Sequence, residues 1–151
     1  MKVEDIALQD GMQNSELQDD ILYLLLSQSE LAKELTGVIK KGKRPNRNEF
    51  AQEEDCTIGS LTIAAGSVQQ GTSNVNIYVP DVPSIATGNN AQGYEANTER
   101  IKQLKAMAYG ILKKHYCEKG WSFETVEQGT LEEADMHCHR IWFKIRFMFH
   151  N

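Results

Sequence analysis

Hydrophobic residues repeat with helical spacing in two parts of this chain. Near the N-terminus, Leu17, Ile21, Leu24 and Leu25 lie three or four positions apart, or side by side, which predicts an amphipathic helix. The second part, residues 101–115, has the same spacing over a longer stretch and predicts the longest helix of the chain.

A short helix is predicted directly after the first one. Ser27 and Glu30 have the S-x-x-E spacing of a capping box, in which two side chains satisfy free backbone amides at a helix N-terminus. Gly37 follows at a position where glycine commonly ends a helix.

Alternation of apolar and polar residues predicts β-strands in other segments, because successive side chains of a strand point to opposite faces. The strongest alternation lies in residues 136–149, where Ile141, Phe143 and Ile145 are separated by Trp142 and Lys144. Shorter strands are predicted at 38–39, 56–63, 75–79 and 121–125. Turns are predicted at 66–71 and 128–130, and loops at 46–53 and 83–93.

The order of these segments predicts an α+β fold, since strands are grouped around one covering helix and do not alternate with helices. We expect an antiparallel sheet of about five strands packed against a long helix, with an N-terminal helical segment. Residues 1–16 are polar and are expected to form a flexible arm, and residues 17–151 a single domain.

Composition narrows the functional classes. The 151 residues carry a formal net charge of −5, and a mildly acidic chain is a poor general binder of nucleic acid. No apolar run reaches the roughly 18 residues of a membrane span, and the first residues lack the apolar core of a secretory signal. We therefore expect a cytoplasmic protein without membrane contact, whose three cysteines (Cys56, Cys117 and Cys138) are free thiols.

Candidate catalytic or metal-binding residues are few. His137 and His139 would lie about 7 Å apart on one face of a strand, but a structural zinc site needs four ligands with recognisable spacing. Cys117 could form a nucleophilic pair with His115 or His139, and the carboxylates of the acidic segment 131–135 could act as an acid–base pair. No accompanying catalytic motif supports either possibility. We expect no cofactor, no metal and no enzymatic activity.

Two groups of cations are candidates for contact with a partner. One is a compact basic cluster in residues 40–47, formed by Lys40, Lys41, Lys43, Arg44 and Arg47. The other is the outward face of the last strand, with Arg140, Lys144 and Arg146 beside the aromatic Trp142. The turn at 66–71 supplies candidate contact residues Ser67, Gln69 and Gln70.

Four segments of the sequence resemble a known family. They are GVIKKGKRP at 37–45, EDCTI at 54–58, SNVNIYVPD at 73–81 and ERIKQL at 99–104. In this order, over roughly residues 19–149, they resemble the tail-terminator proteins of long-tailed phages and prophages, also called tail-completion or head–tail joining proteins. The resemblance implies a ring oligomer, commonly a hexamer, that caps a tail tube and joins it to the head, and it implies no catalytic residues.

The same resemblance implies partners and a location. The chain would bind copies of itself, tail-tube proteins and neck proteins, around a lumen that passes DNA without binding it specifically. It would be found in the host cytoplasm during assembly and afterwards in the virion tail. Two alternatives remain open at this point: a module that binds a small ligand or peptide on the same sheet, and a metal-dependent enzyme using His137 and His139.

Overall fold

The computed structural model describes residues 1–85 and 92–150. Its three α-helices are α1 (Glu16–Ser27), α2 (Glu30–Glu34) and α3 (Thr98–Leu112). Single turns of 3-10 helix lie at Val3–Asp5 and Ala134–Met136. Helices at 16–27 and 30–34 are present as expected, but the capping box of Ser27 and Glu30 is not formed: Ser27 is the last residue of α1, and the N-cap of α2 is Ser29, without a side-chain cap hydrogen bond.

The described residues also form eight strands. They are β1 (Ile39–Lys41), β2 (Cys56–Ala64), β3 (Gln69–Pro80), β4 (Val82–Ile85), β5 (Gln92–Glu95), β6 (Lys114–Cys117), β7 (Trp121–Glu133) and β8 (Cys138–Phe149). Six of them form one sheet in the order β1-β2-β3-β8-β7-β6, and β4 pairs with β5 in a separate small sheet.

The expected fold class was wrong. Strands account for 42% of the described residues, the main sheet has six strands and is curled and mixed, and the helices are short. The sheet is mixed because β1 pairs with β2 in parallel, whereas its other pairings are antiparallel. A parallel pair needs a crossover connection, and residues 42–55 provide one that contains neither helix nor strand.

Two segments explain why the sequence was misread. The predicted turn at 128–130 lies inside β7, which runs without interruption from Trp121 to Glu133 apart from a register shift between Thr125 and Glu127. The predicted long helix ends at Leu112, and the next residues form β6, where His115 stacks on the indole of Trp121 at 5.2 Å. The polar residues of β7 are typical of a turn, and His115 continues the helical spacing of α3, so neither β6 nor the second half of β7 was predicted.

The core lies between the helices and one face of the six-stranded sheet. Ile21, Leu22 and Leu26 of α1 and Leu104 of α3 are completely buried in the same cluster as Phe143 of β8. Because strand residues alternate between faces, the neighbours of these buried strand residues point to the opposite side of the sheet. We call that side, which carries Asn74, Asn76, Trp142 and Lys144 and is not covered by a helix in the described residues, the open face.

The N-terminal segment lies against this core. Val3 is 4% exposed and Ile6 is 9% exposed, and both belong to the buried cluster. The side chain of Gln69 joins the segment to β3: it accepts from the backbone amide of Gln13 at 2.7 Å and donates to the carbonyl of Gly11 at 2.7 Å. Residues 1–16, expected to be a flexible arm, therefore contribute apolar side chains to the core.

The expected loop at 83–93 lies partly outside the described residues. Its described ends belong to β4 and β5, in which Pro83 is paired with Tyr94. This small sheet holds Tyr94 within 5.7 Å of the ring of Phe50 and 4.6 Å of the ring of His137. The three aromatic rings thus join the 42–55 connection, the small sheet and the start of β8.

Candidate interaction surface

The cations of β8 lie on the open face, as the alternation predicts, but each has an acidic neighbour on β7. Lys144 is paired in register with Glu127, and Arg146 with Glu124. Arg140 donates from Nε to Glu133 Oε1 at 2.9 Å and from Nη1 to Asn76 Oδ1 at 3.1 Å. Opposite charges on neighbouring strands attract, so these glutamates offset part of the positive charge of the stripe; among the described residues, Arg140 is the cation of the three that forms an ion pair.

Trp142 lies flat against the neighbouring strand. A Cβ atom added to Gly129, its partner on β7, would be 2.8 Å from Cζ2 of the indole. Glycine is required here because the ring occupies the space where any other side chain would begin. The indole therefore covers the middle of the open face and is only half-exposed.

Arg44 and Arg47 of the basic cluster are held by one buried carboxylate. Asp55 has no exposed side-chain surface, and its Oδ2 accepts from Arg44 Nε at 2.9 Å and from Arg47 Nε at 3.0 Å. Its Oδ1 accepts from Arg47 Nη2 at 2.8 Å and from the amide of Val38 at 3.0 Å. These two arginines fasten the 42–55 connection to the sheet.

The surroundings of Asp55 favour its charged form. Burial alone would raise the pKa of this carboxyl group, but hydrogen bonds from Arg47, the Val38 amide and Arg44 outweigh burial and lower the pKa below its usual value. Arg44 also lies over the ring of Tyr78 at 4.6 Å and donates to the carbonyl of Glu53 at 3.0 Å. Sequence reasoning missed Asp55, although its place directly before a buried strand was visible.

The three lysines of the basic cluster are exposed, but they differ in their contacts. Lys41 forms an ion pair with Asp20 of α1 and lies over the ring of Tyr23. Lys40 donates to the carbonyl of Lys43 at 3.0 Å. In the part of the chain that the structure describes, neither Lys40 nor Lys43 has an acidic partner within ion-pair distance.

A second ion network connects helices to the sheet and was also missed from the sequence. Arg100 of α3 donates to Glu54 Oε2 at 2.6 Å and to Glu34 Oε1 at 2.7 Å. The hydrogen bonds that Arg100 donates to Glu54 and then to Glu34 raise the pKa of Arg100 in spite of its partial burial. Because Glu54 and Asp55 are neighbours, the two networks together fix the start of β2 against α2 and α3.

The contact residues predicted in the 66–71 turn separate in the structure. Ser67 and Gln70 are exposed, whereas Gln69 is 7% exposed and is occupied by the N-terminal segment. Ser67 and Gln70 are therefore accessible to a partner, and Gln69 is not.

The candidate metal and nucleophilic residues do not converge. His137 precedes β8 in a left-handed conformation and stacks on Phe50 at 4.7 Å, whereas His139 Nδ1 lies 2.6 Å from Asp81 Oδ1. No group of three His, Cys, Asp or Glu side chains that could hold a metal is found among the described residues. The three cysteines are buried and free, and burial raises the pKa of Cys56 to about 12.

A groove lies between the basic cluster and the open face. It has a volume of about 370 Å³ and is open to solvent. Its lining includes Arg44, Thr57, Asn74, Asn76 and Tyr78. Amide, hydroxyl and cationic side chains lie in this lining beside apolar surface, and the groove is shallow, so it suits an extended chain better than enclosure of a small apolar molecule.

The two ends of the main sheet leave strand edges without a partner strand in the described residues. β6 pairs only with residues 121–124 of β7, so residues 126–133 have a side without a partner strand among the described residues, where Lys105 of α3 donates to Thr130 Oγ1 at 2.7 Å; we call this side the acidic edge. At the other end, β1 pairs only with residues 56–58 of β2; β1 and residues 60–64 together form what we call the basic edge. Neither edge was recognised in the sequence, because β7 was read as a short strand followed by a turn.

Comparisons with known proteins identify no family for this chain. No family model matches it, and no curated protein matches it significantly. Among the described residues, none of the helices is long and apolar enough to cross a membrane.

Proposed function

We propose that this protein is a structural component of a phage or prophage tail, which forms a ring that caps the tail tube and joins it to the head. The proposal rests on the four segments that resemble tail-terminator proteins and on one structural observation. That observation is an extended sheet face, not covered by a helix among the described residues, on which each cation of β8 has a glutamate neighbour on β7. Its partners are copies of itself, tail-tube proteins and neck proteins, in the host cytoplasm during assembly and then in the virion.

The open face has the properties of a protein-binding surface. Strands β3, β8 and β7 each contain at least 12 residues and are anchored by a buried apolar face, so their outer side is a stiff platform. The platform combines the half-exposed indole of Trp142 with charges of both signs. Such a mixture of an aromatic centre and a charged surround is typical of interfaces between proteins.

The paired charges refine what the resemblance implies about DNA. A surface that grips DNA needs cations free to neutralise phosphates, whereas Arg140, Lys144 and Arg146 each have a glutamate neighbour on β7. The open face therefore supports contact with protein, and passage of DNA without specific binding, better than it supports a grip on DNA.

Binding of a peptide or small ligand is the second candidate. The groove beside Arg44 and Tyr78 favours it, since an extended peptide there would meet Asn74 and Asn76 on one side and the basic cluster on the other. The ring proposal is preferred because it also accounts for the resemblance, which extends well beyond the residues of the groove.

Co-assembly with a tail tube tests the proposed function. The protein is produced together with the tail-tube protein from the same genome, and the tubes are examined by electron microscopy. The expected result is a ring at one end of each tube and tubes of limited length. A folded protein that never associates with tubes, while the tubes grow normally, would contradict the proposal.

A further inference from the structure

The two free edges of the main sheet carry opposite charge. On the acidic edge, Glu132 and the adjoining Asp135 are exposed, and Glu127 is exposed beside them. On the basic edge, Lys40 and Lys43 are exposed and have no acidic partner among the described residues. Each edge also exposes an apolar side chain: Leu131 is 49% exposed on the acidic edge and Leu61 is 58% exposed on the basic edge.

We propose that the acidic edge of one copy of this chain binds the basic edge of the next copy, so that the main sheet continues from subunit to subunit. The occupant of each edge is thus a second copy, held by backbone hydrogen bonds, by lysine–glutamate attraction and by burial of Leu131. The biological setting of this contact rests on the proposed ring function. The contact itself is inferred from the two edges alone.

Strand directions allow this contact. The pairings β2–β3, β3–β8 and β8–β7 are all antiparallel, so β7 runs opposite to β2 and to the parallel β1. A second copy placed beside the first in the same orientation therefore presents its basic edge antiparallel to β7. Antiparallel pairing is the arrangement that dominates the rest of the sheet.

The charges also lie at the same height in the sheet. Register connects one residue on each of five strands in a single row across the sheet: Lys40, Thr57, Asn76, Trp142 and Gly129. Lys40 is thus level with Gly129 in the middle of the acidic edge, three residues from Glu132 along the strand. A neighbour that is not displaced along the strands therefore brings its lysines level with the acidic edge.

Charge also decides which copies of the edges meet. Two acidic edges placed together would bring Glu132 and Asp135 of both copies close to each other. Two basic edges would do the same with their lysines, and like charges on facing strands destabilise a strand pair. Charged side chains on an edge strand commonly prevent it from pairing with the edge strand of another molecule. Here the charges disfavour pairing of two acidic edges or of two basic edges, but not pairing of an acidic edge with a basic one. A contact between unlike edges is heterologous, and heterologous contacts produce rings when the rotation closes.

Two variants, each with the charge of one edge reversed, test the contact. One variant carries Lys40→Glu and Lys43→Glu, and the other carries Glu132→Lys and Asp135→Lys; Glu127 is left unchanged because it faces Lys144. Self-association is measured at low salt and high protein concentration by sedimentation. Each variant alone is expected to associate at least about tenfold more weakly than the native protein, because both of its edges then have the same sign.

Mixing the two variants should restore association, since each positive edge again meets a negative one. Controls are Lys33→Glu and Glu30→Lys on α2, whose side chains are 77% exposed and belong to neither edge; they should associate like the native protein. Circular dichroism and thermal unfolding verify that every variant is folded. Unchanged association in both edge variants, no recovery on mixing, or a native protein that stays monomeric would each overturn the proposal.

Cross-linking locates the contact directly. A carbodiimide joins amines to carboxylates without a spacer, and mixed nitrogen-14 and nitrogen-15 copies distinguish links between subunits from links within one. Links from Lys40 or Lys43 to Glu127, Glu132 or Asp135 between differently labelled copies are expected. Associated protein whose intersubunit links map elsewhere would overturn the proposal.

The two hypotheses fail in different ways. Rings on tail tubes that are insensitive to both charge reversals would leave the proposed function intact and reject the edge contact. Association through the two edges, without any binding to tubes, would support the edge contact and reject the proposed function.

Discussion

Two buried aspartates of this protein have opposite effects on its stability. Asp55 is surrounded by donors, whereas Asp19 of α1 is 6% exposed and its Oδ1 is buried without a hydrogen-bond partner. Burial, followed by the nearby charge of Glu16, raises the pKa of Asp19 to about 6. The first carboxylate therefore stabilises the fold when it is charged, and the second destabilises it.

Replacing Asp19 with asparagine is expected to stabilise the protein at neutral pH. The folded state retains the Asp19 proton up to about pH 6, whereas the unfolded chain loses it near pH 4, so native stability falls as the pH rises through this range. Asp19→Asn removes the ionisation and should raise the free energy of unfolding by about 1–3 kcal/mol at pH 7.5. Urea denaturation at pH 3.5 and 7.5 checks this; a gain as large at pH 3.5 would contradict it.

Replacing Asp55 with asparagine is expected to destabilise the protein by about 3 kcal/mol at pH 7, because Arg44 and Arg47 lose the charge that compensates them. The pKa of Asp55 is lowered, so its contribution is present above about pH 4 and is lost as the pH falls further. Thermal and urea unfolding provide the measurement.

Asp20→Asn is the matched control for that change. It breaks the exposed ion pair with Lys41 and should alter the stability by less than about 1 kcal/mol. Equal losses in the two variants would mean that Asp55 is not the electrostatic anchor of the 42–55 connection.

Strand β7 is the element on which both the open face and the acidic edge depend. Its polar composition and its glycine read as a turn, but Gly129 lies beneath Trp142, and β8 pairs with β7 along its entire length. The glycine is explained by a neighbouring ring on another strand, which no local pattern reveals. The sequence alone does not distinguish a glycine required by a turn from a glycine required by the packing of a neighbouring side chain.

Gly129→Ala is expected to lower the free energy of unfolding by about 1–3 kcal/mol, since the new methyl group would overlap the indole of Trp142. Gly59 of β2 is the matched control, because a Cβ added there would meet no atom within 4 Å. Gly59→Ala should be neutral or stabilise by up to about 1 kcal/mol. Denaturation followed by tryptophan fluorescence compares the two, and equal effects would show that the ring does not occupy this space in solution.

Elements with strong local patterns were predicted well, and the others were not. The N-terminal helices and the strands at 56–63, 75–79 and 136–149 follow from spacing alone. β6 and the second half of β7 were missed because they lie at the end of the sheet, where one face is exposed and hydrophobic alternation is weak. The acidic edge was not predicted for the same reason, since it belongs to the second half of β7.

Across the whole molecule, charge is arranged in pairs on the open face and in opposite excess at the two edges. Arg44 and Arg47 are engaged by Asp55, and the cations of β8 have glutamate neighbours on β7. The formal net charge of −5 adds a general repulsion from phosphates. These distributions favour association between protein subunits over binding to nucleic acid.

The protein is therefore expected to bind duplex DNA with a Kd weaker than about 100 µM at 0.15 M salt. Fluorescence anisotropy with a labelled duplex checks this, and low-micromolar binding would contradict it. A variant with glutamine at the three glutamates that neighbour the β8 cations should bind DNA more tightly at low salt. The substitutions are Glu124→Gln, Glu127→Gln and Glu133→Gln.

The sequence by itself determined which segments are strongly amphipathic, and that Arg140, Lys144 and Arg146 share one face of the last strand. Those properties depend on spacing along the chain, so local periodicity reveals them. The tertiary structure alone decided the parallel β1, the six-strand order, the glutamate neighbours of the β8 cations and the two oppositely charged edges. Each of these depends on which distant segments become neighbours, a property set by packing of the whole core.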